Sequence, residues 1–221
     1  REGGISRYVA SQDMFQPVAL QDVKDARVLF EDSSHRLWVG TGRDGLYLLD
    51  KEHGRLIQKI PPLQFNHPFQ VRKIVEWQPG HLLLASDEGL TKYDVTTEKV
   101  DVIKADSRHP EGLNDNYLHE LFLDRENALW IGTYFGGVNY VSSVQDNFRH
   151  YHKDNSQLDA RIISVFAHAD KGNLWIGTDD AGFFYWDRQK QTFQGYRPQK
   201  GKPGPAYYNI HALLQDGDKL F

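Results

Sequence analysis

An all-β chain is predicted, a β-propeller of four-stranded antiparallel blades, and three observations carry that prediction. A short aromatic motif recurs at an even period, segments of period-two alternation flank every copy, and no stretch sustains a helical face over three turns. The composition agrees: 5 Trp, 11 Tyr and 12 Phe beside 19 Gly suit strands joined by many turns.

The motif is Leu37-Trp38-Val39-Gly40-Thr41, which returns as Leu129-Trp130-Ile131-Gly132-Thr133 and as Leu174-Trp175-Ile176-Gly177-Thr178. A worn copy lies at Leu82-Leu83-Leu84-Ala85-Ser86, and a last one begins at Leu220-Phe221. Its second position falls at 38, 83, 130, 175 and 221, giving spacings of 45, 47, 45 and 46.

Each copy has the same surroundings. Upstream are the alternating segments Ala26 to Glu31, Val71 to Glu76, Leu118 to Leu123, Ile163 to Ala167 and Ile210 to Leu214, expected as inner strands. A polar turn follows each, such as Asp170-Lys171-Gly172-Asn173. Downstream, Gly45, Gly89, Gly137 and Gly182 open a third alternating segment, and a more polar fourth follows, as in Thr192 to Tyr196. Four short strands per 40–50 residues is roughly the blade pattern of a propeller. Trp38, Trp130 and Trp175 are expected to fill the gaps between blades, with the Gly-Thr pair and the later glycine letting the chain turn tightly.

The whole of 1–221 thus reads as one propeller region, with blades at about 24–68, 69–115, 116–160 and 161–207 and half blades at 1–23 and 208–221. The two halves could pair and close a five-bladed ring. The reading favoured here is a fragment of a larger ring, seven-bladed, within a multidomain sensor. Open strand edges favour association, so a second copy of the chain stands as a candidate partner.

Composition removes several classes of function. The chain is 39% hydrophobic and 25% charged, which fits a folded domain rather than disorder. Mean hydropathy is −0.61, and no window approaches the roughly 18 consecutive apolar residues of a membrane span. The opening residues have no signal-peptide pattern, so the chain reads as cytosolic or as a processed or excised piece of something larger. A net charge of −4 gives no electrostatic footprint for nucleic acid, and the absence of cysteine removes disulfides, thiolate zinc sites and cysteine nucleophiles.

The unit "polar turn, Leu-Trp-Ile-Gly-Thr, short loop, Gly-Gly-Val-x-Tyr" resembles the two-component regulator propeller repeat. Asp124 to Thr133 and Lys171 to Thr178 carry that resemblance most closely, and Gly112-Leu113-Asn114-Asp115-Asn116-Tyr117-Leu118 is similar to the family's lead into the innermost strand. The resemblance implies the periplasmic sensor part of a hybrid two-component histidine kinase anchored in the inner membrane. It implies an oligosaccharide ligand and control of glycan use at transcription, without catalysis or cofactor in this region and without membrane contact by this segment.

Propellers bind partners where the loops leading into the inner strands meet those joining the second and third strands. The lead-in column is Lys24, Phe69, Asn116, Arg161 and Tyr208, and three positions on come Arg27, Arg72, His119, Ser164 and His211. Arg and His on an innermost strand suit either a hydrogen-bonded structural ring or a polar pocket attracting an anionic sugar. The second loop set holds Arg43-Asp44, Asp87-Glu88, Tyr134-Phe135 and Asp179-Asp180. Tyr134 is a candidate for stacking on a sugar face, with Asp179 and Asn116 as polar contacts. The candidate ligand-binding residues are therefore Arg27, Arg72, Asn116, His119, Tyr134, Arg161, Asp179, Tyr208 and His211, with no catalytic or metal-ligating residue assigned.

Two carboxylates at Asp179-Asp180 fall short of a calcium shell of about six to eight oxygens. His150 and His152 share a strand face but lack a third zinc ligand. The alternatives to a sensor are a propeller lyase or glycosidase, for which His119 and His211 are the residues titrating near neutrality, and a protein-interaction propeller.

Overall fold

The computed structural model describes residues 4–18, 23, 25–51, 53–60, 69–108, 112–142, 148–199 and 205–221. The chain divides into two compact units, 1–102 and 103–221.

In the first unit β1 (Ile5–Val9) and β2 (Met14–Val18) form a hairpin. The first blade follows as β3 (Ala26–Glu31), β4 (Leu37–Thr41), β5 (Leu46–Asp50) and β6 (Arg55–Ile60), paired in sequence order. The second blade is β7 (Val71–Gln78), β8 (His81–Ser86), β9 (Leu90–Asp94) and β10 (Val100–Ile103), in the same order.

The second unit repeats the pattern. Its first blade is β11 (Leu118–Leu123), β12 (Leu129–Thr133), β13 (Val138–Val141) and β14 (Phe148–Tyr151). The next is β15 (Ile163–His168), β16 (Leu174–Thr178), β17 (Phe183–Asp187) and β18 (Thr192–Tyr196), with a single 3-10 turn at Asp170–Gly172. A two-residue hairpin, β19 (Gln215–Asp216) and β20 (Lys219–Leu220), ends the described chain.

One expected inner strand does not form: Ile210 to Leu213 join no ladder, and Leu214 exchanges backbone hydrogen bonds with Phe221 beside the β19–β20 hairpin. Ile210 docks instead on the preceding blade, donating its backbone N–H to the Thr178 carbonyl at 2.8 Å and accepting from the Ser164 hydroxyl.

The aromatic marks occupy equivalent places with unequal burial. Trp38 is 1% exposed and meets Tyr93 of the next blade edge-on at 6.0 Å; Trp130 is 0% exposed and meets Trp186 of its neighbour at 4.6 Å. These rings anchor the two inter-blade cores, one with Phe69, Ile74 and Leu82, the other with Ile163, Phe166 and Ile176. Trp175 is only half-buried and lies against Tyr185, Phe183 and Tyr196 of its own blade.

The motif glycine is not a turn residue. A Cβ on Gly132 would come within 2.9 Å of Ile163, and one on Gly40 within 2.7 Å of Val71, both on the inner strand of the following blade. Small size here sets blade spacing. The later glycine does turn the chain: Gly137 and Gly182 have φ of +80° and +81°, and a Cβ on either would strike the backbone oxygen of Tyr151 or Tyr196.

Candidate ligand-binding site at the bulged inner strands

The polar column has a backbone cause. Pairing between the first two strands of each blade slips between Ala26 and Val28, Val71 and Lys73, Leu118 and Glu120, and Ile163 and Val165. Arg27, Arg72, His119 and Ser164 are the residues left over at these four β-bulges. A bulged residue has no direct cross-strand partner, and its side chain is re-aimed relative to the regular pleat. His211 holds the corresponding sequence position but lies outside any strand.

The loop after each second strand is fastened by one hydroxyl. Thr41, Thr133 and Thr178 donate from Oγ1 to the carbonyl of Gly45, Gly137 and Gly182, and accept the N–H of Asp44, Gly136 and Ala181. Ser86 does the same for Gly89 and Glu88 in a loop one residue shorter. All four hydroxyl residues are buried. The next residue then ties this loop to the lead-in of its own blade: Gly42 N–H to Asp25 O, Tyr134 to Tyr117 O, and Asp179 to Ile162 O, at 2.9–3.0 Å.

Carboxylates lock the two loops together more firmly. Asp115 accepts the N–H of Tyr117 through one oxygen, at 3.0 Å, and that of Phe135 through the other, at 2.9 Å. Asp180 accepts from the backbone and Nε of Arg161 at 3.2 Å, and Asp87 accepts the N–H of Gln70 at 3.4 Å. Buried Asn139 and half-buried Asn114 hold the Gly112-Leu113-Asn114 lead-in to the sheet: Asn139 Nδ2 donates to Asn114 Oδ1 at 2.8 Å, and Asn114 Nδ2 donates to the Gly136 carbonyl at 2.7 Å.

The Arg side chains and His211 of the column have acidic or amide neighbours. Arg27 Nε lies 2.9 Å from Asp25, Arg72 donates to Gln70 Oε1 at 2.8 Å, Arg161 is paired with Asp180, and His211 Nε2 lies 3.5 Å from Asp179. Around the third blade the loops carry rings instead. The His119 and Tyr134 centroids are 5.9 Å apart, Tyr134 and Phe135 5.2 Å, and Phe135 and Tyr117 6.2 Å in an edge-on arrangement. Phe135 is 68% exposed and Tyr117 50%, while Tyr134 is half-buried behind them.

The remaining sequence candidates are placed as follows. Asn116 holds the backbone, its Oδ1 accepting the N–H of Ala105 at 2.7 Å. Phe69 is buried and bridges to Asp44 of the preceding blade. Tyr208 accepts the Gly182 N–H at its carbonyl and leaves its ring exposed. Lys24 lies outside the described residues. His150 Nε2 is bonded to the Gly112 carbonyl at 2.6 Å, and among the described residues no group of three potential metal ligands forms. Tyr117, Asp115 and Asp180 are not among the sequence candidates for ligand binding, and the structure places them on the same loops. A cavity of about 440 Å³ lies elsewhere, between the β1–β2 hairpin and the first blade, floored by Leu29, Leu37 and Leu49; it contains none of the bulge residues.

Solved structures share this architecture. The extracellular domain assigned to a hybrid two-component system of B. thetaiotaomicron is similar over 96% of this chain, with a TM-score of 0.70 and 18% identity. A second such domain from that organism is similar over 98%, with a TM-score of 0.52 and 18% identity. The WD40 β-propeller domain of Doa1 is similar over 71% of the chain and 48% of its own, with a TM-score of 0.54 and 12% identity. The chain spans 26% of the first of these proteins and 35% of the second. No protein-family model matches the sequence, and no curated protein matches it. The fold is a β-propeller of four-stranded antiparallel blades.

Proposed function

We propose that this chain is the ligand-sensing propeller of a hybrid two-component sensor histidine kinase, placed outside the cytoplasm, and that it binds an oligosaccharide at the bulged ends of its inner strands. The observation that supports this reading best is the recurrence of a polar bulge residue in all four blades, beside loops fastened by a buried hydroxyl. A rigid frame with variable side chains at its rim is how a propeller varies its ligand without altering its fold. The neighbouring solved structures are extracellular domains of two-component systems, which fits the same role. Signal output and control of glycan use would then belong to parts of the protein beyond this chain.

The lyase or glycosidase reading needs an acid and a base converging on one point. His119 lies against Tyr134 on the third blade and His211 beside Asp179 after the fourth, each engaged with a different neighbour. A glycan panel screened by calorimetry and thermal melting tests the proposal. Saturable binding with a Tm that rises with ligand concentration, and no turnover, is expected. Cleavage of the glycan, or a flat Tm across the panel, would overturn it.

A further inference from the structure

The loop face of the third blade brings two exposed rings and one carboxylate into a single unit. Asp115 accepts the backbone N–H of both Tyr117 and Phe135, so its charge is fixed between the residues that carry the rings. Those rings stand edge-on at 6.2 Å with half or more of their surface open. Tyr134 packs on Phe135 from behind, and Asn114 holds the Gly136 carbonyl of the same loop. With the backbone on either side of the rings fixed by these bonds, less conformational freedom is lost when something stacks on them.

Electrostatics narrow what that something is. In the same unit Arg161 is paired with Asp180 and Arg197 with Asp159, and His211 lies beside Asp179. Asp115 accepts two backbone N–H groups and, among the described residues, is paired with no cation, which leaves net negative charge beside the rings. A carboxylated or sulfated sugar placed there would meet like charge at close range, whereas the hydroxyls of a neutral sugar find acceptors.

We infer that Tyr117, Phe135 and Asp115 form a stacking subsite for an uncharged sugar ring and discriminate against uronic and sulfated ones. This rests on the oligosaccharide reading above and reverses the anionic preference that the Arg and His column suggests in the sequence.

The test is calorimetry on the 221-residue chain with matched panels of neutral, uronate-containing and sulfated oligosaccharides. Neutral members should bind, with affinity little changed between about 0.05 and 0.5 M salt, because exposed charge attraction is screened over that range. Phe135→Ala and Tyr117→Ala should each weaken binding roughly tenfold or more, on the scale of losing an aromatic contact. Phe135→Tyr should retain it, and melting curves should confirm that each variant folds. Neutral binding that survives both alanine substitutions, or tighter binding of the charged panel, would overturn this inference and leave the sensor reading standing. Failure of every panel would overturn the sensor reading and the subsite with it.

Discussion

Trp130 donates its indole N–H to Asp124 at 3.0 Å, and the same carboxylate closes the turn between β11 and β12 by accepting the N–H of Glu126 and Ala128. Asp32 does the same for Trp38, Ser34 and Arg36 in the first blade. The turn before the motif is therefore coupled to the buried ring that follows it. In the fourth blade the turn is one residue shorter and the link is indirect: Trp175 donates to Gln215 Oε1, whose amide donates to Asp170.

Removing the carboxylate should accordingly cost most where the indole is most buried. Asp32→Ala or Asp124→Ala is expected to destabilise by about 2–3 kcal/mol, since a buried N–H loses its acceptor and the turn loses its cap. Asp170→Ala should cost well under half as much, because Gln215 still satisfies Trp175. Urea midpoints of the three variants measure the difference, and equal losses would refute the coupling.

The same pair predicts a pH dependence. Burial opposes ionisation of Asp32, but the Trp38 indole, the Arg36 backbone N–H and its guanidinium outweigh it and hold the carboxyl below its ordinary range. A carboxyl depressed on folding adds stability above its unfolded value of about 3.9, and that contribution disappears as pH falls through the lower folded value. Unfolding titrations should therefore show stability falling below about pH 4, with a shallower fall in Asp32→Asn. An identical acid limb in both proteins would remove Asp32 from the account.

Blade spacing gives a third prediction. Gly132→Ala puts a Cβ 2.9 Å from two atoms of Ile163 on the next inner strand, and Gly177→Ala puts one 2.5 Å from Val165 and 3.0 Å from Ile210. Both should destabilise by roughly 1–3 kcal/mol through overpacking. Ala85 occupies the equivalent place in the second blade and is fully buried there, so Ala85→Gly should remove contacts rather than relieve a clash, at a cost of about 1 kcal/mol. Thermal melts of the three variants check the ranking.

The strands were legible because their cause is local. Leu37–Thr41, Leu129–Thr133 and Leu174–Thr178 form strands over the motif's own span, and β3 and β11 match the alternating segments residue for residue. The bulges were less visible, although a signal exists: the apolar residues that the structure buries are three apart in Val71 and Ile74, Leu118 and Leu121, and Ile163 and Phe166, where a flat strand gives two. Reading that spacing would have marked Arg72, His119 and Ser164 as bulge residues. What the sequence could not reveal is pairing between loops. The carboxylates Asp180 and Asp179 beside Arg161 and His211, and the Ala105 N–H on the Asn116 carbonyl oxygen, come from parts of the chain that no sequence spacing joins. The role of Ile210 to Leu214 was hidden for the same reason, since alternation reports a strand's face and not whether a partner lies opposite.

The hydroxyl that fastens each loop links the fold to the rim. Thr133 bonds Gly137 O and Gly136 N–H from a fully buried site, and the chain between them carries Tyr134 and Phe135. Thr133→Val keeps the shape and removes both bonds, leaving the half-buried Gly136 N–H without that partner and the Gly137 carbonyl with only the Thr133 backbone N–H, so a loss of about 1–3 kcal/mol is expected. Thr133→Ser should be nearly neutral, because Ser86 already performs this task in the second blade. Loosening the loop also frees the rings, so glycan affinity should fall in Thr133→Val and be kept in Thr133→Ser. Hydrogen exchange at Phe135 and Gly136 separates this from general destabilisation: faster exchange confined to the loop supports the hydroxyl as its fastening, whereas acceleration spread across β12 and β13 would assign it to the sheet as a whole.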